Sequence, residues 1–268
     1  MSRNLNALLL SPPQGKRRTL GTYIDSKGIL RTAQPGILRP DCAYDPDRKI
    51  WVPQGWLREA QVSANTQLLN WWIGSSGTSI SNVNVTTESM VLPDGTTGSA
   101  HKFTVADYTK DANIPYSTPL YREGMNAIPV WSLFIKIPDP RNIDPGMMFN
   151  LGVAGQSIES WSPRDSNWKA SRLQNMIGTP TYGWNLYIPR QVLANGWVRF
   201  PIGGPTVTGT SSITVGAFSI PSNTFTAETA FPIYMWGSSA IQAESRNNYC
   251  SSFIYGTDKS TPVTRASD

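Results

Sequence analysis

The sequence contains a single histidine, His101, in 268 residues. A Ser/His/Asp triad needs a histidine base, and His101 lies in a candidate strand beside Lys102 and Phe103, where a residue without a catalytic role is expected. Zinc sites draw on several His or Cys ligands, which one histidine and two distant cysteines cannot supply. Neither a P-loop nor a Gly-x-Gly-x-x-Gly pattern after a strand is present. We therefore expect that the protein is not an enzyme.

Cysteine and long hydrophobic runs are also scarce. Cys42 and Cys250 are the two cysteines. Two free thiols in a reducing cytoplasm are favoured, and a disulfide between them is the alternative. No stretch approaches the roughly 20 apolar residues that cross a bilayer, and Ala7–Leu10 is too short for a signal-peptide core. We expect a soluble chain with no membrane contact.

Acidic residues number 18, and their spacing shows no dedicated motif. A carboxylate pair that cleaves glycosidic bonds can come from distant strands. The candidates for such a pair are Glu123, Glu159 and Asp165. Calcium needs only oxygen ligands at loop crossings. The candidates for calcium are Asp94, Asp107, Asp111 and Asp144. We expect no catalytic residues and no cofactor, and a structural calcium is the one exception left open.

Turn formers and β-branched residues are abundant instead. The chain has 22 Gly and 21 Pro, and only 15% of its residues are charged. Apolar and polar residues alternate in several short runs, among them 79–86, 102–105 and 130–137, which is typical of strands. Similar runs recur at 147–153, 197–201, 213–220 and 231–236. About eight such strands predict an all-β fold, a jelly-roll β-sandwich over residues 55–245, with 246–268 as a C-terminal tail on the sandwich or a neighbour. The best helix candidate, Leu57–Leu69, is weak.

Positive charge is concentrated near the N-terminus. Residues 1–50 hold nine Lys or Arg against four Asp, whereas residues 51–268 hold fourteen of each sign. Frequent Pro and Gly and the lack of periodicity predict an extended basic arm over residues 1–54, which docks on a neighbouring subunit or on its own sandwich. Deleting residues 1–50 should then leave a folded sandwich. The expected docking residues are Arg3, Lys16, Arg17 and Arg18. An acidic protein surface is favoured over nucleic acid as the partner, because the charges form no dense run.

Aromatic residues divide into two groups. Trp131, Trp197 and Trp236 lie in apolar strands and are predicted to be in the core. The polar stretch 155–190 reads as a long, elaborated loop, and such loops are often functional. Its candidate contact residues are Trp161, Arg164, Trp168, Tyr182 and Trp184. Stacking on a glycan and contact between subunits are equally good explanations for them.

Eight segments follow in the same order a pattern found in tailed-phage virion proteins whose jelly-roll domain is similar to carbohydrate-binding modules. These segments are 22–33 (TYIDSKGILRTA), 40–46, 55–61 (GWLREAQ), 65–70 (NTQLLN), 92–103 (LPDGTTGSAHKF), 195–199 (NGWVR), 234–244 (YMWGSSAIQAE) and 261–268 (TPVTRASD). Pro93-Asp94-Gly95 suits the tight turn that the resemblance implies before a strand. Gln242 falls two positions later than in the family, and 155–190 is longer and more aromatic.

The resemblance implies a jelly roll in a virion protein, made in the bacterial host cytoplasm, with no activity of its own. It carries no catalytic residues. One expected function is structural, as a capsid decoration or a tail, baseplate or fibre component that assembles through the arm onto other virion proteins. The alternative is a receptor-binding fibre protein that recognises a host surface polysaccharide. One domain and one arm leave no shaft, which favours the structural role. A homo-oligomer is expected, with a trimer as the favoured number.

Overall fold

A computed structural model describes residues 21–57, 63–65, 82–115, 128–137, 149–153, 156–161, 170–173, 191–203, 217–220, 222, 232–243 and 263–265. Regular structure in these ranges is strand, apart from one 3-10 turn at Ala194–Gly196. Every strand pairing in them is antiparallel. The all-β prediction is confirmed.

The described strands are β1 Gly21–Ile24, β2 Leu30–Ala33, β3 Arg39–Asp45, β4 Ile50–Leu57, β5 Ser63–Asn65, β6 Val83–Val91, β7 Thr97–Val105, β8 Ala112–Pro115, β9 Ile128–Lys136, β10 Phe149–Val153, β11 Gln156–Trp161, β12 Ala170–Leu173, β13 Gln191–Val192, β14 Trp197–Gly203, β15 Ala217–Ile220, β16 Ile233–Ala243 and β17 Val263–Arg265. Several match the predicted runs, including β7, β9, β14 and β16. The predicted turn at Pro93–Gly95 is also present: Gly95 N–H donates to Leu92 O, and Leu92 N–H donates to Thr96 O.

Two sheets and two separate hairpins make up the described fold. The larger sheet has the order β13-β14-β9-β16-β5-β17, and β7 also pairs with β16 and carries β6 on its other side. The second sheet has the order β12-β11-β10-β15-β8. The hairpins are β1–β2 and β3–β4, and β1 also contacts β3.

The central strands of the larger sheet are buried on both faces. On β9 the neighbours Phe134 and Ile135 are both fully buried, and on β16 Tyr234 is buried and its neighbour Met235 is fully buried. Because successive side chains of a strand point to opposite faces, burial of consecutive residues requires cover on both. This explains why these segments read as nearly continuous apolar runs.

The N-terminal hairpins cover part of one of these faces. One hydrophobic cluster joins Ile24 of β1 and Leu30 of β2 to residues far along the chain: Leu92, Ala100, Phe134, Leu193, Trp197 and Tyr234. Trp51, Met90 and Trp236 pack against this cluster and are partly buried. Trp197 and Trp236 therefore lie in or against the core, as predicted, whereas the side chain of Trp131 lies outside the described residues.

The extended arm predicted over residues 1–54 is not confirmed. From Gly21 onward the chain forms two hairpins that share the core of the larger sheet. The Gly and Pro residues that suggest an extended segment lie largely between short strands, as at Gly28, Pro35-Gly36 and Pro46, where they suit turns. Residues 1–20 lie outside the described part of the chain.

Two further expectations are corrected. Leu57 ends β4 and Ser63–Asn65 form β5, so the weak helix candidate contains strand at both places. The stretch 155–190, predicted as a long loop, contains β11 and β12. Their polar residues obscure the strand pattern. Within the predicted tail 246–268, β17 pairs with β5 of the chain's own sheet.

Candidate functional site: an outward-facing N-terminal hairpin

Most of the predicted contact residues lie outside the described residues. These are Arg164, Trp168, Tyr182 and Trp184 in the aromatic stretch, and Arg3, Lys16, Arg17 and Arg18 near the N-terminus. Trp161 ends β11, where its backbone pairs with Phe149 and Ala170, but its side chain is not described. The structure thus leaves both predicted sets of contact residues as predictions.

The hairpin β3–β4 exposes apolar side chains that sequence reasoning missed. None of the eight residues of β4 is buried, although the strand reads IWVPQGWL. Ile50 is 48% exposed at its start and Trp56 is 39% exposed near its end. Ile37, just before β3, is 56% exposed. Ile50 lies opposite Asp45 and Trp56 lies opposite Pro40, so these two exposed side chains lie on opposite faces and at opposite ends of the hairpin. Each is an exposed apolar contact point for another protein.

The loop at the tip of this hairpin carries charges of both signs. Arg48 and Lys49 are exposed, and Lys49 has a left-handed backbone with φ +56°. One carboxylate oxygen of Asp45 accepts the backbone N–H groups of Asp47 and Arg48, which shapes the turn. Asp45 and Asp47 balance the two cations, so the tip next to the exposed Ile50 has no net charge.

Three hydrogen bonds fasten the hairpins to the larger sheet and its turns. The indole N–H of Trp51 donates to Val192 O at 2.9 Å. The backbone N–H of Ala194 donates to Gly28 O at 2.7 Å, and the N–H of Leu30 donates to Pro93 O at 3.0 Å. Together with the buried Ile24 and Leu30, they hold the hairpins against the sheet, while Ile50 and Trp56 of β4 stay exposed.

Gly28 provides the space for the Trp51 ring. A Cβ on Gly28 would overlap three ring carbons of Trp51, and the backbone of Gly28 has φ +76°. The ring of Tyr44 also packs against Trp51, and the two ring centroids lie 5.0 Å apart. A glycine is therefore required at this position for two separate reasons, close approach and left-handed backbone.

Asp25 organises the loop between β1 and β2. One of its carboxylate oxygens accepts the N–H groups of Lys27 and Ile29, each at 2.9 Å, and the other accepts Arg31 Nε–H at 2.8 Å. Burial alone would raise the pKa of Asp25, but the hydrogen bonds from Arg31, Ile29 and Lys27 outweigh it and hold the pKa below its ordinary value of 3.8.

Acid should therefore weaken this loop. A carboxylate with a depressed pKa in the folded state contributes stability above the unfolded-state value, and this contribution is lost as the pH falls through the folded-state value. We expect Asp25→Asn to lower the free energy of unfolding by about 1–2 kcal/mol at pH 7. The difference from wild type should shrink as the pH falls from 5 toward 2 in urea titrations. A difference that stays constant over this range would contradict the role given to the carboxylate.

The candidate metal and catalytic residues that are described have other structural roles. The carboxylates of Asp94 and Asp107 each accept the N–H and hydroxyl of a threonine two positions later. These hydrogen bonds help to hold the pKa of Asp107 at about 2. Asp111 accepts the N–H of Ser222. Within the described ranges, no three His, Cys, Asp or Glu side chains come together as a metal site.

His101 lies in β7, opposite Thr87 and Met235, and burial lowers its pKa. The backbone of Glu159 lies in β11, but its side chain is not described. Cys42 is buried and free, and burial raises its pKa. Four of the candidates lie outside the described part of the chain: Glu123, Asp144, Asp165 and Cys250.

One polar cluster lies on the face of the larger sheet beside the hairpins. Lys102 Nζ is 2.7 Å from one oxygen of Glu88, and the hydroxyl of Tyr234 donates to the other oxygen at 3.1 Å. These hydrogen bonds lower the pKa of Glu88 and raise that of Lys102. The three side chains thus satisfy one another's hydrogen-bonding groups and charges at the edge of the buried core.

The sequence matches no protein-family model, and no curated protein is significantly similar to it. In the part of the chain that the structure describes, no helix has the length and apolar character needed to cross a bilayer.

Proposed function

We propose that this protein is a structural component of a tailed-phage particle, and that it attaches to an acidic surface of another virion protein. The attachment surface consists of the outward hairpin β3–β4, with Ile37, Ile50 and Trp56, and of the basic segment 1–20. The observation that carries the proposal is the exposed apolar strand β4 on hairpins that are themselves firmly held by the sandwich.

Charge supports an acidic partner. Segment 1–20 contains Arg3, Lys16, Arg17 and Arg18 and no acidic residue, and it leads directly into β1. Arg48 and Lys49 at the tip of the hairpin are balanced by Asp45 and Asp47, so the positive charge is that of segment 1–20. This basic segment fits a partner surface that carries carboxylates, since complementary charge sets orientation and partner choice.

The proposal includes a jelly-roll sandwich. Two antiparallel sheets with almost no helix are the architecture of such a fold. The sequence segments that resemble phage proteins are distributed along this part of the chain. A virion component of this kind has no catalytic activity, lies in the particle after synthesis in the host cytoplasm, and occupies symmetric positions. A homo-oligomer follows from that symmetry, with a trimer as the expected number.

The test is incorporation into particles. Phage that lack the protein are assembled with added wild-type protein or with the double variant Ile50→Lys, Trp56→Lys, and the amount bound per particle is measured on purified particles. We expect the variant to bind at least about tenfold less, because removal of central apolar contacts costs more than 1 kcal/mol each.

The control is Thr32→Lys, since Thr32 is exposed on β2 and the change adds one lysine outside β3–β4, against two in the double variant. The control should incorporate as wild type does. Normal incorporation of the double variant would refute the hairpin as the attachment surface. Complete particles that assemble without the protein but fail to adsorb to host cells would favour the receptor-binding alternative.

A further inference from the structure

Among the strands that the structure describes, none pairs with the second edge of β6. This strand runs for nine residues, Val83–Val91, and pairs with β7 along its whole length. Among the described residues β7 is its one strand partner, although it also contacts β8 of the second sheet. No residue of β6 is buried and five are exposed, so the open edge is accessible. An open edge presents unpaired backbone N–H and C=O groups.

Edge strands in natural proteins are usually protected against pairing with another chain. Common devices are proline, lysine, a bulge and short length. β4 has two of them, Pro53 and a register shift opposite Asp41 and Cys42. The edge strands β13 and β17 have only two and three residues. β6 has no proline, no lysine or arginine, and no register shift against β7. Among the described edge strands, β6 is thus the long strand that has none of these protective devices.

We infer that β6 pairs with β6 of a second copy of this chain, antiparallel and around a two-fold axis. When the two copies form one continuous sheet and all nine residues of each β6 strand pair, the central residue Thr87 lies on the two-fold axis. Val83 then lies opposite Val91 of the other copy. Continuity of the two sheets satisfies the open backbone groups of both strands at once.

Charge favours this register. Glu88 is the one charged residue of β6, and with Thr87 on the axis it lies opposite Thr86 of the other copy. A shift that placed Glu88 on the axis would set two carboxylates directly opposite each other, which is destabilising. In addition, Thr86 pairs with Lys102 on β7. The incoming carboxylate therefore approaches the face of the sheet on which Lys102 already pairs with Glu88 of its own copy.

This contact goes beyond the proposed attachment to the particle, because it joins two copies of the isolated chain and uses β6 in place of the hairpin β3–β4. Its test is therefore made without the particle. Failure of β6 pairing leaves the attachment proposal intact, and failure of incorporation leaves β6 pairing intact.

The experiment is light scattering with size-exclusion chromatography on the full chain, over a dilution series. We expect wild type to contain a two-fold contact whose dissociation constant rises at least about tenfold in Thr87→Lys, since that change puts two like charges on the axis. Thr87 is exposed, so folding should be kept, which circular dichroism checks. The control Thr32→Lys should behave as wild type. A monomeric wild type, or an oligomer unchanged in Thr87→Lys, would overturn the inference.

Cross-linking gives a second, independent measurement. Residues directly opposite each other in an antiparallel pair have Cβ atoms about 4.5–5.5 Å apart, which is close enough for a disulfide after a small shift. Thr87→Cys should give a covalent dimer under mild oxidation. Wild type and Thr32→Cys, treated in the same way, should give none above background. Equal cross-linking of Thr87→Cys and Thr32→Cys would count against pairing through β6.

Discussion

Replacing Gly28 with alanine is expected to lower the free energy of unfolding by about 2–4 kcal/mol. Part of this cost is the left-handed backbone, which disfavours any side chain by about 1 kcal/mol. The larger part is steric. The new methyl group must displace the Trp51 ring, which then loses its packing on the core and its hydrogen bond to Val192.

Gly55 offers a matched control for this prediction. It also has a left-handed backbone, with φ +107°, but a Cβ at that position would meet nothing within 4 Å. Gly55→Ala should therefore show the conformational cost alone. Urea unfolding of both variants separates the two contributions. Equal destabilisation by Gly28→Ala and Gly55→Ala would show that the Trp51 ring does not require the space at Gly28.

Removal of the N-terminal hairpins is the second large effect that we expect. A chain that lacks residues 1–57 loses Ile24, Leu30 and Trp51 from the core cluster. Burial of three large apolar side chains contributes about 5–9 kcal/mol, which is comparable to the whole stability of a typical domain. This chain should lack a cooperative unfolding transition and should aggregate, because Leu92 and Phe134 become exposed.

A chain that lacks only residues 1–20 keeps both hairpins and should unfold cooperatively. Fluorescence and circular dichroism in urea distinguish the two truncations. The sequence alone predicts that the chain without residues 1–57 stays folded, since it treats the first fifty residues as an arm without a role in the core. A stable, cooperative chain without residues 1–57 would restore that arm and would contradict the packing of Ile24 and Leu30.

Sequence reasoning works best for β7, β9, β14 and β16. Their alternating or continuous apolar residues and the Pro-Asp-Gly turn before β7 are local features, and local preferences for strands and turns act over a few residues. It misses β1 and β2 because each has only four residues, and it misses β3 and β4 because Pro40, Pro53 and Gly55 interrupt their strand pattern. Those residues are equally compatible with an extended arm and with tight hairpins.

The candidate attachment surface could be anticipated only in part. The basic character of the N-terminal segment is visible in the sequence, as is the apolar composition of IWVPQGWL. Whether those apolar side chains are buried or exposed depends on what the hairpin packs against. Trp51 and Trp56 belong to the same strand, yet one packs on the core and the other is exposed.

The amino-acid sequence by itself determined the all-β class, the position of the positive charge, and the shortage of residues for nucleophilic or zinc chemistry. Only the tertiary structure decided that Ile24 and Leu30 of the N-terminal hairpins belong to the core and that β6 has an unpaired edge among the described strands. The physical reason is distance along the chain. Trp51 meets Val192 across 141 positions, and an edge is open only because no other strand lies beside it, so neither property is encoded within any short stretch.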